Sequence, residues 1–340
     1  MDITVVICTY NGATRLPAVL DRLIMQVDTL DASVDWEVIV VDNNSHDRTP
    51  EVIERYRASS AFPCRLAYVV ESRQGLAFAR RCGIQAAKGT LIAFLDDDNL
   101  PASDWVQAVY AFGKQYPTAG AYGSQIAGCY GATPPPNFDR IACFLAVIDR
   151  GDRPFRYDQL DRWLFPAGAG LVVRKQAWIQ QVPDTPVLAG VSAQVLNEKG
   201  EDIETLSYLR KGGWPIWHNP NMKIEHVVER DRLTEGYLLK LFKGVGLSRH
   251  HTRTIRFRAW QKIPVVIAYG LKDSCKLLMH SIVHYKNRTS VVVKCEKTLL
   301  YYSMLSSLYC FFKIKANTKT KTLKDGYLSN QLKTLWIDSS

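Results

Sequence analysis

Four short apolar runs open this chain, and each is separated from the next by a stretch of helical spacing. The runs are Ile3–Cys8, Glu37–Val41, Leu66–Val70 and Leu91–Leu95; between them lie Leu16–Gln26, Pro50–Tyr56 and Gly75–Ala87. A run that is apolar on both faces suits a strand covered by helices on each side. The alternation therefore predicts βαβ units around a parallel sheet. Thr49 is placed to cap the second helix, with Pro50 at its first position.

The strands end in polar clusters: Thr9-Tyr10-Asn11-Gly12, Asp42-Asn43-Asn44-Ser45 and Asp96-Asp97-Asp98. In a doubly wound sheet such ends line one crevice, where nucleotides bind. The acidic end is the most informative. Three adjacent carboxylates repel one another unless they are solvated or a cation neutralises them. Side chains alternate along an extended segment, so Asp96 and Asp98 share a face and Asp97 points away. Two carboxylates plus phosphate oxygens make a shell for Mg2+ or Mn2+, although a solvated acidic turn would read the same way. A GxGxxG fingerprint after the first strand and a GxxxxGK[ST] loop are both missing, which disfavours ordinary NAD dehydrogenases and phosphate-loop ATPases.

A chain of 340 residues predicts two units, and an apolar fraction of 47% is that of a folded protein. Eight scattered cysteines show no CxxC pair, which suits free thiols in a reducing compartment. The first strand begins at Ile3 without a basic-then-apolar leader, so a cytoplasmic protein is expected.

Beyond Pro101 a helix is expected before Pro117, followed by a glycine- and proline-rich region that resists assignment. Phe165-Pro166-Ala167-Gly168-Ala169-Gly170 then leads into a strand and suits either close approach to a ligand or a tight turn. Gly200-Glu201-Asp202 opens the helical run Ile203–Arg210, where acids in the first turn also suit the helix dipole.

Taken in order, Val5-Val6-Ile7-Cys8-Thr9-Tyr10-Asn11, Val38-Ile39-Val40-Val41-Asp42-Asn43-Asn44-Ser45, Ala79-Arg80, Leu95-Asp96-Asp97-Asp98 and Gly200-Glu201-Asp202 resemble the motif series of family 2 glycosyltransferases of the GT-A fold. The resemblance covers about residues 1–235. Phe94–Pro101, Ala119–Gln125 and Pro166–Arg174 look more particularly like cyanobacterial glycosyltransferases of hormogonium polysaccharide biosynthesis.

The resemblance implies a GT-A catalytic domain at 1–235, Rossmann-like with a mostly parallel sheet; charge and spacing make 236–340 a basic helical region. The resemblance also implies that Thr9, Asn11, Asp42, Arg80, Asp96 and Asp97 meet the nucleotide sugar, and that Asp98 with Asp96 holds the divalent cation. Asp202, beside Glu201, would be the catalytic base, and one attack with one base inverts the anomeric centre. His226 follows the strand-like Met222–Glu225, where some GT-A enzymes place a metal or phosphate contact, and Arg230 and Arg232 nearby suit a diphosphate. The chain departs from the pattern at Arg81, where the family usually has Asn. The letters of QxxRW, the mark of processive members, occur at Gln159–Trp163, but about forty residues before Asp202 instead of after it, so a non-processive enzyme is expected. The alternatives are a sugar-1-phosphate nucleotidyltransferase, which lacks its Gly-rich basic loop here, and an inactive glycan- or nucleotide-binding scaffold.

Charge divides the chain. Residues 1–239 carry 24 Lys and Arg against 29 Asp and Glu, whereas residues 240–340 carry 19 against 4. Ile263–Ile267, Leu277–Tyr285 and Leu299–Ile314 are apolar stretches bounded by Lys272, Asp273, Lys276 and Lys286, each short of the roughly 18 to 20 uncharged residues of a spanning helix. They suit amphipathic helices lying on an anionic membrane surface, or a soluble cap on the catalytic domain. No nucleic-acid recognition motif accompanies the basic charge. The expectation is an enzyme peripheral to the inner face of the cytoplasmic membrane, moving sugar from a nucleotide-sugar donor, a UDP-sugar, to a glycan or lipid-linked saccharide acceptor.

Overall fold

The computed structural model describes residues 1–59, 62–160, 163–188 and 200–306. Among these, nine strands form one mixed sheet. Strands β1 (Ile3–Thr9), β2 (Trp36–Asp42), β3 (Arg65–Val70) and β4 (Leu91–Asp96) are the parallel part. The sheet continues through β5 (Asn99–Pro101), β6 (Ala121–Tyr130), β7 (Phe155–Arg156), β8 (Val172–Arg174) and β9 (Ile216–Val228), in the order β3-β2-β1-β4-β8-β6-β9-β5 with β7 beside β9.

Strand alternation distributes the core between the two faces. Val5, Ile7, Val38 and Val40 pack with Leu20, Leu23 and Val106 from α1 (Leu16–Ile24) and α4 (Trp105–Gln115), and with Val52 and Ile53 of α2 (Thr49–Ala58). Val6, Cys8, Ile39 and Val41 join Ala79 and Ile84 of α3 (Leu76–Ala86), Trp178 of α5 (Lys175–Gln181) and Leu206 and Leu209 of α6 (Glu201–Lys211). The expected βαβ order is therefore present. Burying both faces explains why the strands are continuous apolar runs.

One cap differs from expectation. Thr49 is the first residue of α2, and its backbone N–H is accepted by Asp47 Oδ1 at 3.0 Å. The Thr49 hydroxyl is spent elsewhere, accepting from Gly12 N at 3.0 Å, because the first strand-end loop folds against this helix.

The region that resisted assignment contains β6, whose hydrogen-bonding neighbours are β8 and the distant β9. Two stretches expected as separate helices in the basic third are parts of one helix, α8 (Ala259–Val283). Helix α7 (Glu235–Thr254) precedes it, and residues 291–306 are also helical. Leu238, Leu241 and Phe242 of α7, with Val292, Cys295 and Leu299, share a core with Phe138, Leu145 and Val228. Those two helices thus pack on the end of the sheet. In α8 only Asp273 is buried. None of the described helices is long and apolar enough to cross a membrane. Leu299–Ile314 falls partly outside the described residues.

Candidate active site

The parallel registers set Thr9 beside Asp42 and Cys8 beside Asp96, so the carboxyl ends of β1, β2 and β4 come together. Pairing of β5 with β9 places Asn99 opposite His226. Asp96, Asp98, Arg80, Glu201, Asp202 and His226 then line one cleft of about 560 Å3.

The three consecutive aspartates have separate fates. Asp96 faces the Arg80 guanidinium at 3.5 Å. Burial raises its pKa while Arg80 opposes the rise and Asp98 adds to it. Asp97 turns the other way, as the alternation predicts, but its carboxylate is taken up within the protein. Thr9 Oγ1 donates to it at 2.6 Å, and Arg15 donates through Nε and Nη2, both at 3.0 Å. Asp98 accepts through Oδ2 from Arg232 Nη1 at 2.7 Å and through Oδ1 from Asn99 Nδ2 at 3.0 Å, and His226 Nε2 lies 3.3 Å from Oδ2. Burial alone would raise the Asp98 pKa, but the His226 hydrogen bond and the His226 and Arg232 charges outweigh it and hold the group below the usual carboxylate range.

Arg232 Nη1 also sits 3.1 Å from His226 Nε2. One cation therefore touches both atoms that a divalent metal would use there. The donor set of carboxylate oxygen and imidazole nitrogen fits Mn2+ or Mg2+ once phosphate oxygens and water complete the shell.

On the facing side, α6 begins at Glu201, so Asp202 lies in its first turn. Asp202 accepts from Gly168 N at 2.9 Å and from Ile203 N at 2.8 Å. Burial, with the Glu201 charge, pushes its pKa up to about 6 despite Arg80 and those two donors. Glu201 points to Arg80, 3.6 Å from Nη1. The glycine loop makes a close approach, though to a side chain: a Cβ on Gly168 would stand 2.6 Å from Arg80 Nη2. Gly168 is thus what lets the loop brace Asp202 while Arg80 passes beneath it.

Thr9, Asn11 and Asp42 form a layer beside the cleft. Asn11 adopts φ 49° and its Oδ1 accepts from His46 N, while its own N–H goes to Ser45 Oγ. Asp42 is buried and accepts from Tyr68 Oη at 2.7 Å and Ser45 N at 2.8 Å. Arg15, Tyr68 and Asn99, which hold these acids, carry no motif of their own and escape sequence reading. Arg230 lies outside the cleft lining, which Arg232 joins. Arg81 turns from the site to Pro183 O at 2.9 Å and to Asp184, so the departure from the usual Asn leaves the cleft untouched. Trp163 lines the cleft, whereas Asp161 and Arg162 of the QxxRW letters lie outside the described residues.

The sequence model of the family described as Glycosyl transferase family 2 matches residues 4–175, just over half of the chain. The chain belongs to glycosyl transferase family 2. Within the family it is 24% identical to the uncharacterized glycosyltransferase YfnE of Bacillus subtilis over 81% of this chain and 67% of YfnE. Other curated relatives match over a third or less of their own length. The narrower cyanobacterial likeness is not established by the short match to the uncharacterized glycosyltransferase alr2836 of Nostoc, 30% identical over 29% of each protein. The mannosyltransferase PcManGT of Pyrobaculum calidifontis, solved in complex with GDP-Man and Mn2+, superposes with a TM-score of 0.53 over 90% of this chain and 86% of its own at 17% identity. The fold of this family 2 glycosyltransferase is GT-A, and the enzyme class follows from the family.

Proposed function

We propose that this glycosyltransferase is inverting, non-processive and dependent on Mn2+ or Mg2+, and that its donor is a nucleotide sugar, a UDP-sugar. The observation that carries the reading is Asp202, a braced carboxyl with a pKa of about 6, in the same cleft as an Asp98 held ionised. A group titrating just below neutral pH is suited to take a proton from an incoming hydroxyl. Opposed pKa environments on two carboxyls divide base from charge carrier.

A cation held by Asp98 and His226, with Asp96 nearby, would neutralise the charge that develops on the departing diphosphate. Arg232 and Arg80 add positive charge on the same side. Asp202 receives the acceptor proton as the new bond forms, and Glu201 keeps Arg80 in place. Asp97, Thr9 and Arg15 position the acidic turn, and the Thr9, Asn11 and Asp42 layer offers the base and ribose their floor.

Residues 1–235 carry this chemistry, while Tyr237, Leu241 and Arg249 of α7 and Tyr269 of α8 complete the cleft and the region they belong to brings the enzyme to a membrane. Along α8 the residues Trp260, Ile263, Ile267, Leu271, Leu278 and Ile282 recur at helical spacing with 59 to 72% of their surface exposed. Lys262, Lys272 and Lys276 lie exposed on the same helix. Such a face suits an anionic leaflet, each basic residue near the surface contributing about 1 kcal/mol. A lipid-linked saccharide at the inner face of the cytoplasmic membrane is the acceptor this arrangement favours.

Donor hydrolysis across a panel of nucleotide sugars, with and without Mn2+, tests the reading. One preferred donor, hydrolysed only with metal, is expected. Hydrolysis of none, with intact protein and metal present, would overturn it.

A further inference from the structure

The cleft extends past Asp202 to a second group of cations that the transfer chemistry does not use. Arg249 and Arg253 of α7 and Arg256 just beyond it stand at positions i, i+4 and i+7 and all line the cleft, as does Arg150. Arg253 forks onto the buried Asp273 of α8. Among the described residues Arg249 and Arg256 meet no carboxylate. Arg249 Nη1 donates to Ser303 Oγ at 3.1 Å. Arg256 donates to Tyr269 Oη at 2.7 Å and lies over the Trp163 ring at 5.1 Å. Arg150 Nε and Trp163 Nε1 are buried donors without a partner among the described residues.

A helix C-terminus favours a basic residue in its last turn. It does not account for three arginines on one face against a single acid. Burial, with Arg253 alongside, pushes the Arg249 guanidinium down to about 10 although Asp273 opposes this. A partly desolvated cation without a counter-charge is costly, so such a corner is built to receive an anion.

We infer that Arg249, Arg253 and Arg256, with Arg150, form a second anion subsite that takes the diphosphate through which the acceptor saccharide is joined to its lipid. With Arg150 counted, four guanidinium groups face one carboxylate, an excess of positive charge that a diphosphate answers and a lone carboxylate would not. Guanidinium forks meet phosphate oxygens in pairs. The subsite lies between Asp202 and α8, whose outer face is the apolar one, so a diphosphate held there has its sugar directed to the base and its lipid to the membrane. This inference rests on the cleft being the glycosyl-transfer site.

The test is calorimetric titration of the full-length protein, kept saturated with UDP, with farnesyl diphosphate below its aggregation concentration. The wild type should bind it. Arg256→Gln should weaken binding about tenfold, the double change Arg249→Gln with Arg256→Gln further, and Arg256→Lys should recover part of the loss. Arg256 is exposed, so its replacement spares the fold, which a thermal melt checks. UDP affinity, titrated separately, should stay the same in all variants. Farnesyl diphosphate binding that ignores these substitutions overturns the subsite. So does a parallel fall in UDP affinity, which would give the arginines to the donor. A fall in co-sedimentation with phosphatidylglycerol vesicles while farnesyl diphosphate binding persists would assign them to lipid headgroups instead. Failure of the wild type to bind UDP would instead overturn the donor reading on which the inference stands.

Discussion

Replacing Asp202 with Asn separates chemistry from stability. Burial and the Glu201 charge raise its carboxyl from the ordinary value of 3.8 to about 6. The group is raised in the folded state, so its contribution favours folding below about pH 4 and is lost as pH rises through about 6. At pH 7.5 the ionised side chain therefore costs the fold up to about 3 kcal/mol, at about 1.4 kcal/mol per pKa unit. Asn removes that cost. Its amide, however, has one oxygen for the two donors, Gly168 N and Ile203 N. One N–H is left facing an NH2 group, which returns about 1 to 3 kcal/mol. The expected net result at pH 7.5 is a gain of about 1 kcal/mol, or a melting point higher by about 1 to 3 °C. At pH 5 the wild type recovers about 1 kcal/mol relative to the variant, so the advantage should vanish. Transfer at pH 7.5 should fall by two to four orders of magnitude with donor affinity unchanged. Scanning calorimetry from pH 5 to 8, beside a transfer assay, reads all three. A melting-point difference that does not vary with pH would refute the raised pKa. Normal transfer by Asp202→Asn with loss in Glu201→Gln would move the base by one residue.

Wild-type transfer should lose activity below about pH 6 with unit slope, as Asp202 protonates, and a flat profile down to pH 5 would remove it as the base. EDTA, or Asp98→Ala, should weaken donor binding measured by calorimetry, because the diphosphate then meets the acidic turn without its cation; full affinity in metal-free buffer would contradict this. Gly168→Ala should displace Arg80 and with it Asp202, lowering transfer at least tenfold while the far-UV spectrum is kept, the crowding being 2.6 Å at Arg80 Nη2; unchanged kinetics would show that Arg80 has room. Ile267→Glu with Leu271→Glu should release the protein from phosphatidylglycerol vesicles in a sedimentation assay without affecting UDP binding, and retained sedimentation would clear α8 of that role.

The parts of this protein legible in the sequence are those whose causes are local. Strands β1 to β4 are apolar runs because both their faces are buried, and period and length suffice to find them. The crevice at their ends follows from parallel order. Asp96, Asp98 and Asp202 were legible as a set only through the motif series, since the cleft that unites them depends on α6 arriving more than a hundred residues after β4. Neighbours from afar decided the rest. Alternation already turns Asp97 away from its two neighbours, but that Arg15, 82 residues earlier, occupies it was not legible. Strand β6 could not be placed because its partner β9 lies some ninety residues on. Glu201-Asp202 reads as helix-dipole chemistry until burial and Arg80 distinguish the two acids. The spacing of Arg249, Arg253 and Arg256 is visible in the letters. Their convergence on the cleft is not, because a helix's periodicity states which residues share a face and only packing states what that face meets.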